Sequence, residues 1–299
     1  MNEVEILNAS IQFDFPVQTD DGRAASFAGH LYRARGRRRG ILQILVHGVT
    51  YDHRYWDAGR INGKDYSYAG YMTERGYDIL AIDLPGTGAS SRPDGDAVCF
   101  DYVASALADA VTQVRKSLGG NDLVALVGHS MGTYLLVHTQ ARWPVADFLV
   151  STGTGYSSAD LPSPHGPGTR EKALLEPYST FSTEDRARVF YYPPATDPEV
   201  IAYDNATLRT SIPRQIWKDS IRYRADPQEA GLMDVKCPVL IQLGEYDPVL
   251  PGRFLDAERR QWPLDTTVVT DQVEGVGHSL NLHRDPERGW SSIDRFLRN

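Results

Sequence analysis

The sequence predicts an α/β protein with a mostly parallel, eight-stranded sheet flanked by helices. Three observations carry this. Short apolar runs alternate with helical patterns through most of the 299 residues, as expected for parallel strands covered on both faces. Hydrophobic residues make up 41% of the chain and charged residues 23%, enough for a large core and incompatible with wholesale disorder. Residues 153–232 alone break the alternation: they hold short helical patterns, many prolines and aromatics, and no convincing strand. They read as a helical insertion over the sheet, leaving 1–152 and 233–299 as the core.

The elements follow in order. Residues 4–15 and 26–34 look like antiparallel edge strands separated by the turn-rich TDDG. The basic run RARGRRRG (33–40) reads as a solvated hairpin tip rather than an anion patch, since Gly36 and Gly40 mark a turn. Buried strands are expected over 41–48, 77–86, 122–130, 145–152, 237–247 and 265–275. A helix over 101–118 places Val103, Leu107, Val111, Val114 and Leu118 on one stripe, with Asp101 as N-cap and Gly119 as the stop. Another over 131–142 ends at Trp143-Pro144, and the last, 286–298, carries Trp290, Ile293, Phe296 and Leu297 at helical spacing. Inside the insertion, Ser182 with Asp185 three residues on resembles a capping arrangement.

Composition removes several function classes. A net charge of −8 supplies no field for nucleic acid. No apolar run approaches the roughly 18–20 residues needed to span a bilayer. The start, MNEVEILNAS, lacks a cationic segment followed by an apolar one, so a cytoplasmic location is the expectation. Cys99 and Cys237 form neither a disulfide framework nor a metal-site spacing, and Cys237 before Pro238 reads as a buried strand start. No metal or organic cofactor is expected.

Four segments carry chemistry. GHSMG (128–132) matches G-x-S-x-G; weak alone, it gains force from the strand LVALV before it and the helix after it. Such a sharp turn lifts Ser130 Oγ out at the sheet edge and aims the Met131 N–H at a developing oxyanion. LVHGVTYD (45–52) ends a strand in His-Gly, so the next loop can turn back and offer the Val49 N–H as a second donor. GEYDPVLP (244–251) puts Asp247 in a loop after a strand, where polar groups of a parallel sheet converge, with Glu245 as the alternative acid. EGVGHSLNLHRDPE (274–287) offers His278 between small residues. A hydroxyl needs a base, and an imidazole needs a carboxylate to fix its tautomer. Ser130, Asp247 and His278 occur in the order nucleophile, acid, base.

With HG (47–48), DLPGTGAS (83–90), GHSMG, GEYD and GVGHS (275–279) in order, nearly the whole chain resembles the α/β-hydrolase superfamily, most of all its lidded bacterial esterases and lactonases. The resemblance implies a Ser-His-Asp hydrolase with a helical lid where the insertion lies, and a structural role for DLPGTGAS. A serine at position 130, where dehalogenases and epoxide hydrolases carry aspartate, disfavours those activities. The HGGG oxyanion loop of hormone-sensitive-lipase-like members is absent, and His283 stands where many relatives carry a glutamate.

The expected reaction is therefore hydrolysis of a small carboxylic ester or lactone through an acyl-enzyme. A thioesterase or amide hydrolase with the same triad, a non-hydrolytic ligand-binding protein and a perhydrolase are the alternatives. Tyr51, Tyr55, Trp56, Tyr191, Tyr192 and Trp217 are candidates to line a pocket for an apolar or ring-bearing substrate. His129 reads as structural, and His53 as a loop residue near the pocket mouth.

Overall fold

The computed structural model describes residues 8–19, 22–119, 122–159 and 161–299. Its main sheet contains β1 (Asn8–Gln18), β2 (Ala24–Tyr32), β3 (Ile41–Val46), β4 (Asp78–Asp83), β5 (Leu123–His129), β6 (Phe148–Thr152), β7 (Val239–Gly244) and β8 (Val268–Val273). The strands lie in the order β1-β2-β4-β3-β5-β6-β7-β8. β2 pairs antiparallel with both β1 and β4, and all remaining pairs are parallel. β3, β4 and β7 are buried at every position, which is why they read as mainly apolar runs, interrupted only by Gln43 in β3, by Asp78 and Asp83 at the ends of β4 and by Gln242 in β7. The expected first residues of β1 and Asp20 and Asp21 of the TDDG turn lie outside the described residues.

Helices α1 (Tyr68–Glu74), α2 (Phe100–Leu118), α3 (Met131–Arg142), α8 (Leu255–Arg259) and α9 (Glu287–Leu297) flank the sheet. Between β6 and β7 lie α4 (Thr169–Ala173), α5 (Thr183–Phe190), α6 (Pro198–Tyr203) and α7 (Arg214–Ala225), with one short strand pair, Tyr178–Ser179 against Ile212–Pro213. Ser182 caps α5 by accepting the Asp185 N–H at 3.1 Å. Helix α3 is buried from Met131 through Gln140, so it is enclosed on all sides rather than amphipathic.

Three local expectations change. The N-cap of α2 is Cys99, whose side chain makes no capping bond. Asp219 on α7 accepts the Phe100 N–H at 2.8 Å instead, and Asp101 pairs with His138 of α3 at 2.8 Å. A tertiary carboxylate thus replaces the local cap. The basic run 33–40 is no hairpin tip, because β2 and β3 flank β4 on opposite sides. It is a crossover in which Arg33 and Arg38 pair with the buried Asp78. Finally, the loop after β3 continues into a hairpin, Asp57–Ile61 with Lys64–Ser67, turned at Asn62-Gly63 with φ of 48° and 78°.

From β3 the chain moves to β4 on one side and later returns to β5 on the other. The loops leaving β3 and β5 therefore diverge, opening a crevice at the carboxyl edge of the sheet. The candidate site lies there.

Candidate active site

Ser130 sits between β5 and α3 with φ 53° and ψ −123°, a conformation costing of order 1–3 kcal/mol for a residue with a Cβ. The surroundings over-determine it. Its N–H donates to Thr152 O at 2.9 Å, and its C=O accepts the Thr133 N–H at 2.9 Å. A Cβ on Gly128 would lie 2.7 Å from the Thr133 backbone, and one on Gly132 would lie 2.5 Å from Val46 O. Both glycines are required by close backbone approach.

His278 is buried, with Nε2 3.0 Å from Ser130 Oγ and Nδ1 2.9 Å from Asp247 Oδ2. Asp247 is fully buried and also accepts the Val249 N–H at 2.7 Å. With Nδ1–H donated to the carboxylate, the Nε2 lone pair faces the serine hydroxyl. Glu245 is engaged elsewhere, accepting the Gly275 N–H at 2.9 Å.

The loop after β3 passes close to the serine: a Cβ on Gly48 would stand 3.1 Å from Ser130 Cβ. Val49 and Met131 line a cavity with Ser130 and His278. Among the described residues nothing accepts their backbone N–H groups. His47 orders this loop, donating Nδ1–H to Gly48 O at 2.8 Å and accepting the Leu84 N–H at 3.3 Å on Nε2. Burial lowers its pKa, which suits a neutral ring in both roles.

His283 braces the loop that carries His278. Its Nδ1 donates to Ser279 O at 2.9 Å, and its Nε2 accepts from Gly277 N at 2.9 Å and Tyr192 N at 3.1 Å. Burial first, and the neighbouring His278 charge, bring its pKa down to about 4. It is thus a neutral clamp on the loop carrying His278, a role the sequence did not disclose. His129 is structural: its ring stacks on Tyr55 at 4.4 Å, and burial holds it neutral.

Asp83, at the head of DLPGTGAS, closes that loop by accepting the Ala89 N–H at 2.8 Å, while Gly88 leaves no room for a Cβ against its carboxylate. His30 and His53 also bond it, at 2.9 and 2.7 Å, with their rings stacked 3.4 Å apart. Burial alone would raise this carboxyl, yet the hydrogen bonds hold it far below its usual range. This trio could in principle hold a cation, but each carboxylate oxygen already serves one imidazole and one backbone N–H. His53 is therefore part of this knot.

Of the candidate aromatics, Trp217 lines the cavity. Tyr51 is buried, its hydroxyl 2.9 Å from Ser279 Oγ, and Trp56 packs against Tyr68 and Tyr55. Tyr191 is buried near His283, and Tyr192 stacks on Tyr246 at 4.0 Å. These four are not in the cavity wall, where Tyr134, His165 and Phe190 stand instead.

A model of the alpha/beta hydrolase family matches residues 43–288. The (E)-2-((N-methylformamido)methylene)succinate hydrolase of Acinetobacter baylyi is 23% identical over 281 residues, covering 85% of this chain and 89% of that protein. A thermophilic esterase from Thermogutta terrifontis superposes with a TM-score of 0.70 at 20% identity, over 97% of this chain and 98% of its own. The monoacylglycerol lipase of Paleococcus ferrophilus gives 0.65 at 14% identity, over 97% and 98%. These structures share the fold. Among the described residues no helix is long and apolar enough to cross a membrane.

Proposed function

The chain belongs to the alpha/beta hydrolase family, and from that premise we propose that it is a serine hydrolase of small carboxylic esters or lactones. The observation that carries the reading is the continuous chain Ser130 Oγ, His278 Nε2, His278 Nδ1, Asp247, with steps of 3.0 and 2.9 Å. Ser130 Oγ attacks the acyl carbon while His278 takes its proton. The buried Asp247 holds the imidazole tautomer and stabilises the imidazolium. The N–H groups of Val49 and Met131 stabilise the tetrahedral oxyanion. As the intermediate collapses, the ester C–O bond breaks and His278 gives its proton to the departing alcohol oxygen. Water, deprotonated by His278, then attacks the acyl-enzyme, the acid leaves, and the proton returns to Ser130.

On this reading residues 153–232 form a cap, since Phe190 and Trp217 from α5 and α7 wall the cavity. Such an insertion excludes water and sets selectivity. A second reading, amide cleavage by the same machinery, is favoured by the Acinetobacter relative, whose named substrate carries a formamide.

The test is Ser130→Ala with labelling of the wild type by a small fluorophosphonate. Turnover of 4-nitrophenyl acetate is expected to fall by several orders of magnitude with the melting curve kept, and the label to map to Ser130. A variant that retains most of its activity refutes the assignment.

A further inference from the structure

Helix α7 presents Trp217, Ser220, Ile221 and Arg224 to the cavity that holds Ser130 and His278. The spacing is i, i+3, i+4, i+7, one face of a helix. Arg224 is half-buried there, and its Nε is buried with no hydrogen-bond partner. Neighbouring arginines are matched: Arg222 on the same helix pairs with Asp219 and Glu229, and Arg186 with Asp204. No carboxylate among the described residues pairs with Arg224, and no acidic side chain lines this cavity. Its charge does reach another cavity residue, opposing the burial that pushes the Tyr134 phenol up to about 12. Glu258 also acts on that phenol, but its oxygens are taken by Ser157 N–H and Trp262 Nε1 at 2.8 and 3.2 Å.

Trp217 adds a second waiting donor. Its side chain is buried and its Nε1–H has no partner. An indole nitrogen only donates, and a guanidinium donates in a planar fork that matches a carboxylate. Buried donors left without acceptors cost free energy unless a ligand supplies them. The cavity is small, about 80 Å³, which favours short chains over bulky ones.

We propose that Arg224 and Trp217 form a carboxylate-binding subsite beside Ser130, so that the preferred substrates are short esters carrying a free carboxylate. The identification of the substrate as an ester rests on the hydrolase reading above; the anion subsite itself does not.

The experiment compares kcat/KM for monomethyl glutarate and methyl valerate, followed by acid release. A parallel pair, acetoxyacetate and ethyl acetate, places the carboxylate on the alcohol side. The wild type is expected to prefer the charged member of at least one pair by tenfold or more. Arg224→Met is expected to lower that ratio by roughly 10- to 100-fold, the size of one lost charge-assisted hydrogen bond. Lys218→Met, which removes a charge from the exposed side of the same helix, is expected to keep the ratio. Glutarate binding by calorimetry to the Ser130→Ala protein is expected to weaken likewise when Arg224→Met is added. Ser130-dependent hydrolysis of methyl valerate, with no charged preference in either pair and no glutarate binding, overturns the subsite and leaves the hydrolase reading standing. Arg224-dependent glutarate binding without Ser130-dependent turnover of any ester supports the subsite and refutes the ester reading.

Discussion

Arg186, one half of a buried ion pair within the insertion, fastens the insertion to the loop that carries Val49, and breaking that pair has a calculable consequence. Arg186 of α5 and Asp204, just after α6, are both fully buried and paired. The Arg186 guanidinium also donates to Thr50 O at 3.3 Å and to Thr50 Oγ1, and lies 4.7 Å from the Tyr51 and Phe190 rings. Thr50 holds φ 59°, so this clamp constrains a strained residue next to Val49. Asp204→Ala leaves the cation uncompensated in a dry site, at a cost of about 3–5 kcal/mol. At roughly 2.1 cal/mol/K of unfolding entropy per residue, each kcal/mol shifts the Tm of a chain of this size by roughly 1.6 °C, so a fall of roughly 5–8 °C is expected by calorimetry. Replacing both partners, Arg186→Met with Asp204→Leu, removes the uncompensated charge and is expected to restore most of the stability. It also frees Thr50. If the Val49 N–H is an oxyanion donor, kcat for 4-nitrophenyl acetate falls in the stable double variant, roughly tenfold or more. An Asp204→Ala protein melting within about 2 °C of wild type refutes the energetic argument. A double variant with wild-type kcat refutes the link to Val49.

Other expectations are direct. Asp247→Asn is expected to cut kcat by up to roughly 10⁴-fold by favouring the wrong imidazole tautomer, whereas Glu245→Gln changes it little; the reverse ranking in steady-state kinetics moves the acid to Glu245. Gly132→Ala sets a methyl against the Val46 and His47 carbonyls, and is expected to lower stability by about 1–3 kcal/mol in urea melts. His283 has its folded pKa lowered to about 4 by burial, while the unfolded chain takes up that proton near pH 6.5. Its contribution is therefore intact above pH 6.5 and lost as the pH falls towards 4, a total of about 3 kcal/mol. The pH slope of stability between those values is expected to flatten by about one proton in His283→Asn, and an unchanged slope in denaturant melts refutes this.

The sheet and the candidate triad were legible because each motif residue follows a strand, buried in β5 and β7; β8, expected to be buried, is instead a largely half-exposed edge strand. Parallel strands declare themselves by continuous apolar runs, and the residue just past each run is carried to one edge whatever the rest of the chain does. Ser130, Asp247 and His278 are therefore carried to the same edge of the sheet by topology. The insertion was legible as a composition and in one local signal, the Ser182 cap of α5. Which aromatic faces the cavity depends on how α5 and α7 pack, so Trp217 lines it while Tyr191 and Tyr192 turn to the loop of His283 and to Tyr246. Asp101 failed as a cap because the competing acceptor, Asp219, lies 119 residues away from Phe100. The hairpin at 57–67 did leave a local signal, Asn62-Gly63, the dipeptide that tolerates two successive left-handed residues. Arg224 leaves none, since an unpaired cation is defined by the carboxylates that fail to meet it.

These contacts bear on how selectivity and chemistry divide between the two parts of the chain. On the proposed reading the base, His278, is not held by the core alone. Phe190 O accepts the Ser279 N–H at 2.8 Å, Tyr192 N–H reaches His283, and Ala195 O accepts from Arg284 N at 3.0 Å. The residues flanking His278 are thus cross-braced to the segment that follows α5, while Arg186 of α5 braces the loop of Val49 from the other side. Substitutions on the cavity face of α7 stand apart from both braces, so their effect should be confined to which substrate fits. Substitutions in 186–195 disturb the base and the oxyanion loop together. They should lower kcat for every substrate, because a shift near 1 Å at the reacting groups is worth about 10²-fold. On the proposed reading the insertion acts as two elements: α7 as the wall that discriminates, and α5 with its following turn as part of the catalytic scaffold.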